Sequence, residues 1–369
     1  MVSKTKTILI LGGSYAGTST AHYALKHILP AFPSPDSYQV VLVSSSHEVI
    51  CRPAAPRTLI ADSYFDQSKL FVSVEERFKP YGEKFKFIHG RAKWLEHERR
   101  VVVVDQLDTD TKIELEYHAL IIGTGSSTSS PLLSLNSAGK PELTARWKSF
   151  RGALSSARSI LIAGGGPTGI ETAGELGEHL NGKAGWFSSS LAEPKVKITV
   201  LGVGVIKNVK VEGVTPVEAG KEEQLTAKTA VKLSNAEILQ AELRQTDGCR
   251  RTRRTLCVEK AGPLVYAAGD VSDYARPAIH ILMVAIPVLC ANLKRDLFAE
   301  AGQTISGEDW LFKADESETQ LVPSGKGKGV DAAKSYRMPS FFVWLIKGRD
   351  YWLGMTGGIW SGTQWAKQA

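Results

Sequence analysis

The tightest constraint on this fold is the stretch from Thr7 to Gly17, TILILGGSYAG. Thr7-Ile8-Leu9-Ile10-Leu11 is a short apolar run without polar alternation, the pattern of a strand buried on both faces of a parallel sheet. Gly12-Gly13-Ser14-Tyr15-Ala16-Gly17 follows directly, and Thr18 to Ile28 is compatible with a helix. Strand, glycine turn and helix in that order make a phosphate cradle, because glycine lets backbone N–H groups approach a pyrophosphate at the positive end of the helix. Ser14 stands where the middle glycine of G-x-G-x-x-G is expected, so this copy alone also reads as a bare strand-to-helix turn.

The pattern returns about 150 residues later. Ser159 to Ala163 (SILIA) is a second buried-type strand, Gly164-Gly165-Gly166-Pro167-Thr168-Gly169 is a full G-x-G-x-x-G, and Ile170 to Leu180 reads as a helix. Two such units imply two dinucleotide sites, and with them an α/β fold of two Rossmann-like domains. Tyr38 to Val43 is expected as the second strand of the first sheet, ending in Ser44-Ser45-Ser46 where many dinucleotide folds place an acidic residue on the ribose. Phe85 to Ala92 reads as a further strand, and Ala92 to Glu98, Arg100 to Asp105 and Ile113 to Tyr117 as hairpin-like segments. Apolar strands stop at small residues in Ala119 to Gly125 (ALIIGTG) and Leu264 to Asp270 (LVYAAGD), the ends at which open α/β sheets bind ligands. Asp270 suits a polyol, or else caps a turn. Ala278 to about Phe298 reads as an apolar helix.

With 369 residues, 43% hydrophobic and 22% charged, the chain can bury two or three cores. Its net charge of +7 is mostly dispersed, and the one dense cluster, Arg250 to Arg254, has no groove-reading motif, which argues against nucleic acid. Cys51, Cys249, Cys257 and Cys290 lack C-x-x-C spacing, so neither a zinc site nor a redox dithiol is read from them, and a reducing compartment is expected. The first strand begins too soon for a signal or transit peptide, and no apolar run reaches the length of a spanning helix. Trp344, Trp352, Trp360 and Trp365 crowd the tail with Lys347 and Arg349, a composition that suits a membrane interface and equally a lid or a dimer surface.

ILILGGSYAG, LIIGTG, LIAGGGPTGIETAGEL and LVYAAGDVSDYARP, with the tail segments ETQLVPSGKGKGV and PSFFVWLIKGRDYW, together resemble the pyridine nucleotide-disulfide oxidoreductase family. Within it they are most similar to the apoptosis-inducing-factor-like branch, which includes ferroptosis-suppressor types and is related to type II NADH dehydrogenases. The resemblance implies an FAD-binding domain in two parts, 1–130 and 255–309, an NAD(P)H-binding domain at 131–254, and a C-terminal aromatic and basic region at 310–369. By position, Gly12, Gly13, Ser14, Ala16 and Gly17 would hold the FAD pyrophosphate, Ala92 would meet the adenine through its backbone, Gly125 would approach the cofactor, and Gly269-Asp270 would bind its hydroxyls. Gly164, Gly166, Pro167, Thr168 and Gly169 would carry NAD(P)H. Arg57 would pair with Glu171 beside flavin N5 as the catalytic pair, although Glu171 also reads as an ordinary first-turn helix acid.

The activity implied is hydride transfer from NAD(P)H to FAD and on to an acceptor: not a disulfide, since C-x-x-x-x-C is lacking, but a quinone, which this branch favours and which the aromatic tail could meet at a membrane, with molecular oxygen or an artificial dye as other acceptors. The protein is expected in the cytoplasm, with peripheral contact to an intracellular membrane such as the mitochondrial outer membrane or a lipid droplet through its tail. No resident metal is expected. The pattern also departs from the family: after Leu201 some two dozen residues are missing, about the length of a parallel crossover, and the Arg250 stretch replaces a strand. These gaps have the look of a gene-model or splicing deletion and leave NAD(P)H binding open. A flavoprotein with impaired reductase activity and a binding role is therefore the alternative.

Overall fold

The computed structural model describes residues 5–126, 130, 132–135, 139–183, 193–201, 254–303, 307–314, 319–333 and 339–368. The arginines at 250–253 lie outside them. The chain forms two units. The first takes the described residues within Met1–Phe150, Asn235–Glu316 and Trp352–Ala369, and the second those within Arg151–Ser234 and Ser317–Tyr351. Both are Rossmann-like.

The strands are β1 Lys6–Leu11, β2 Tyr38–Ser44, β3 Glu48–Ile50, β4 Phe71–Ser73, β5 Phe85–Glu96, β6 Val101–Gln106, β7 Thr111–Glu116, β8 Ala119–Ile122, β9 Ser159–Ala163, β10 Lys197–Leu201, β11 Val265–Ala267, β12 Thr319–Ser324 and β13 Lys328–Ala333. The main sheet of the first unit runs β11-β8-β1-β2-β5-β6-β7. Its first five strands are parallel and the last two antiparallel. β5 is one twelve-residue strand with an irregularity between Ala92 and Trp94, so the expected break at Ala92 is a bulge inside a continuous strand. β1 is buried on both sides: Ile8 and Ile10 join one apolar cluster, Leu9 and Leu11 another. The first cluster is filled by the helices Tyr15–Tyr23 and Ile279–Glu300, the second by residues of the β6–β7 side such as Val102 and Val104. That two-sided burial is what an apolar run without alternation requires.

The tail helix Leu353–Trp360 belongs to this first unit and lies against the first helix. The His22 ring, buried and stacked on Phe78 at 3.9 Å, bonds the Trp360 carbonyl through Nε2 at 2.9 Å and the Tyr81 hydroxyl through Nδ1 at 2.9 Å. The carbonyl can only accept, so Nε2 carries the proton and Nδ1 accepts from Tyr81. Burial pushes the His22 pKa down to about 4. Trp360 and Trp365 are core residues here.

In the second unit β9 and β10 pair in parallel and the helix Pro167–Asn181 connects them. β12 and β13 form an antiparallel hairpin packed on that helix, where a Cβ at Gly174 would meet Ser324 Cα at 2.6 Å. Along the following turns, Phe341, Phe342, Leu345 and Ile346 are exposed.

Candidate functional site

Parallel pairing brings the carboxyl ends of β1, β2, β8 and β11 to one edge of the first unit's sheet. Backbone bonds continue past the strands: Gly12 N donates to Val43 O at 2.8 Å, Gly123 N to Leu11 O at 2.8 Å and Ala268 N to Ile122 O at 3.0 Å. The edge opens into a cavity of about 480 Å³, within the usual range for a ligand site. Gly12, Gly13, Ser14 and Ala16 line it, as do Ala92, Gly125, Gly269 and Asp270. Gly17 sits behind them in the first turn of the helix.

The loop has no room for side chains. Gly12 takes φ +104°, and a Cβ built on it would run into the Gly123 carbonyl. A Cβ on Gly13 would come within 2.5 Å of Ser44 Oγ. Ser14, at the N-cap of Tyr15–Tyr23, makes no side-chain cap bond, and the first turn carries no acidic residue. First-turn amides therefore face the cavity edge without an internal anion, and a pyrophosphate supplies the charge that end of a helix favours. These residues fit the dinucleotide part of FAD.

Asp270 lies on the wall and accepts from Ser126 Oγ at 3.1 Å. Burial pushes the Tyr274 phenol up to about 12, and burial, then the neighbouring Cys51, holds the Tyr15 phenol well above its ordinary value. Both rings are neutral at physiological pH. Ser44 spends its hydroxyl on its own turn, donating to Ser46 O at 2.8 Å, so Ser45 and Ser46 are the freer members of the triplet on the wall.

Of two charged residues on this wall, the sequence singles out neither for a role: Arg52 opens the RPAAPR run, in which Arg57 is the expected cation. Glu48, two residues past the serine turn, lines the cavity, as does Arg52. The Arg52 guanidinium donates to Ser126 O at 3.4 Å. Arg57, from the same RPAAPR run, is buried in the short helix Ala55–Thr58 with its guanidinium 5.9 Å from the Phe65 ring centre, and it is not among the residues lining the cavity. An acidic residue two positions past the serine turn, and an arginine five residues before Arg57, carry no spacing signal that separates them from surface charges.

The second glycine loop keeps the local geometry. Gly164, at φ +122°, donates its N–H to Leu201 O at 3.1 Å, Gly166 is the extended N-cap, and Pro167 opens the helix. A Cβ on Gly169 would run into the Gly164 carbonyl, as one on Gly17 would into Gly12. Yet a Cβ on Gly164 or Gly166 would meet nothing within 4 Å among the described residues. Thr168 accepts through its carbonyl from Thr172 Oγ1 at 2.7 Å. Glu171 is the fifth residue of the helix, past its first turn, and is buried against Lys347 Nζ at 2.5 Å, which also donates to Leu321 O at 3.1 Å. One turn on, the buried Glu175 accepts from Tyr351 OH at 2.9 Å. Lys347 was legible only as a basic residue of the tail.

Residues 6–201 match the family model described as pyridine nucleotide-disulphide oxidoreductase. The chain is 47% identical to Oxidoreductase phnG of Penicillium herquei, covering all of both chains. That alignment runs over 417 positions, 48 more than the 369 residues here. It is 22% identical to Ferroptosis suppressor protein 1 of Xenopus tropicalis, covering 95% of this chain and 94% of that one. Among solved structures, the sulfide:quinone oxidoreductase of Aquifex aeolicus superposes with a TM-score of 0.58 at 12% identity, covering 97% of this chain and 92% of the other. At that identity the likeness shows the fold.

Proposed function

Since this chain belongs to the pyridine nucleotide-disulphide oxidoreductase family and is an FAD-dependent oxidoreductase using NAD(P)H, we propose that its electron acceptor is a quinone. The observation that carries the enzyme reading is the cavity at the strand ends, walled by a glycine loop, an uncapped helix start and Asp270. FAD, when bound, supplies the hydride acceptor and passes the electrons on.

The residues divide the remaining work. Amides of Gly12, Gly13 and Ser14 hold the pyrophosphate, with Ala16 and Gly17 small enough to let it close on the helix. The backbone of Ala92 meets the adenine, Glu48 and the serine turn take the ribose, and Gly125 and Gly269 let the chain approach the cofactor while Asp270 accepts its hydroxyls. Gly164, Gly166, Pro167, Thr168 and Gly169 carry NAD(P)H. Arg57 stabilises negative charge building near flavin N5, and Glu171 orients the nicotinamide. Lys347 neutralises Glu171 within its own unit, and Arg52 is a second candidate for the cation because it already stands on the cavity wall.

Two observations support a quinone and a peripheral membrane contact. The structural neighbour from Aquifex aeolicus is named for a quinone, and Phe341, Phe342, Leu345 and Ile346 form an exposed apolar patch. Among the described residues no helix is long and apolar enough to cross a membrane.

A second reading, a flavoprotein with weakened NAD(P)H use and a binding role, is favoured by the open second loop and by the alignment positions that have no counterpart here. Anaerobic addition of NADH to the purified yellow protein separates the two. Bleaching, followed by recovery of colour on adding a short-chain quinone, supports the reductase. A yellow protein that NADH and NADPH leave unbleached supports the second reading, and bleaching that no quinone reverses refutes the acceptor.

A further inference from the structure

Beyond the redox site, the first unit gathers His47, His89 and Asp108, one ligand atom of each lying within 4.8 Å of the others. His47 follows the serine turn after β2, His89 lies in β5 and Asp108 in the turn between β6 and β7. Sheet register makes the meeting: Ser44 of β2 pairs with His89, and Gly90 with Gln106 of β6. Backbone bonds hold the segments in place, Leu107 N to His89 O at 3.1 Å and Val74 N to His47 O at 2.9 Å.

The hydrogen-bond count around the two rings is the decisive observation. Each of the four ring nitrogens faces an acceptor. His47 Nδ1 lies 3.3 Å from Glu75 Oε2 and its Nε2 3.4 Å from Asp108 Oδ1. His89 Nδ1 lies 2.6 Å from Asp108 Oδ1 and its Nε2 3.4 Å from the Ser45 carbonyl. The acceptors are three atoms, because both rings share Asp108 Oδ1. A neutral imidazole carries one N–H, so two neutral rings satisfy only two of them and the third needs an added positive charge. The ring centres are 4.0 Å apart, with both rings beside the one carboxylate. A single divalent ion supplies that charge and leaves both rings neutral. Each ring then turns one bare nitrogen inward beside Asp108 and donates its remaining N–H outward, His47 to the Glu75 carboxylate and His89 to the Ser45 carbonyl. Outward donation of that kind is what orients metal-bound histidines.

We propose that His47 Nε2, His89 Nδ1 and an Asp108 carboxylate oxygen bind a divalent transition-metal ion, with Zn²⁺ the best match to two imidazoles and one carboxylate. Zinc takes such ligands at about 2.0–2.2 Å, which sets them about 3.3 Å apart in a tetrahedron. The His47 to Asp108 separation already has that value, and the His89 to Asp108 pair opens by about 0.7 Å. Three protein ligands leave the fourth position to water. The site is at the surface, with Asp108 59% exposed and His89 17% exposed, so an ion reaches it without unfolding the sheet.

Calorimetric titration of zinc chloride into the metal-free, FAD-loaded protein tests this, with His47→Ala, His89→Ala and Asp108→Asn alongside. Flavin content of the metal-free variants serves as the folding control. Saturable binding of one equivalent, weakened at least about tenfold by each substitution, is expected, together with a zinc-dependent rise in Tm that the variants lack. Absence of saturable one-equivalent binding, or binding that any one of the three substitutions leaves unchanged, overturns the site. His47 and Asp108 stand at the exposed rim, so these two variants decide the matter should His89→Ala fail to fold.

Discussion

The chain builds the same strand–loop–helix device twice, and the two copies live in different surroundings. β1 has strands paired on both sides and apolar clusters on both faces, and Leu9 is 0% exposed. β9, among the described residues, pairs only with β10, and Leu161 is 41% exposed. The first loop is pressed between the ends of β2 and β8, so a methyl group on Gly12 or Gly13 collides, whereas one on Gly164 or Gly166 meets none of the described residues. What differs is the neighbourhood: local sequence makes the turn, and the strands that flank it make the turn a binding site.

Substitutions can break this contrast, and Gly12→Val gives the largest effect. Forcing a β-branched side chain to φ +104° against the Gly123 carbonyl abolishes flavin retention, whereas Gly166→Ala leaves flavin content at the parent level. A flavin assay on the two purified variants checks the pair, and equal losses refute the contrast. Next come the matched leucines. Leu9→Ala costs about 2–5 kcal/mol in denaturant unfolding, and Leu161→Ala about 1 kcal/mol or less.

The pH dependence of the first unit is next in size. His22 has a folded pKa of about 4 against an ordinary 6.5, so its neutral form is the one the fold favours. The stability it contributes is complete above pH 6.5 and is lost as pH falls toward about 4, roughly 3 kcal/mol in all. Tm measured across that window drops in the parent, and His22→Gln lacks this part of the slope. An equal slope in both removes His22 as the cause. Asp270→Asn is the mildest test at the cavity, weakening FAD about tenfold through loss of a charged acceptor while Tm without flavin stays constant.

The parts of the fold set by contiguous residues were readable in advance. β1, the glycine loop and its helix, and the second loop with Pro167 at the helix start all lie where the sequence pattern places them. Harder to read were features that depend on what lies across the sheet. Glu48 reaches the cavity from a position no ribose-acid spacing indicates, and Arg52, five residues before the expected Arg57, occupies the wall. Lys347 finds Glu171 across 176 residues of sequence. The His47, His89 and Asp108 cluster is of the same kind, since nothing in separations of 42 and 19 residues suggests ligands until the β2–β5 register is known.

Acid release of flavin from the purified, dialysed protein tests the central claim most directly. About one FAD per chain is the predicted result, since one cradle is fully walled by strand ends. A folded, colourless protein that takes up no added FAD contradicts it.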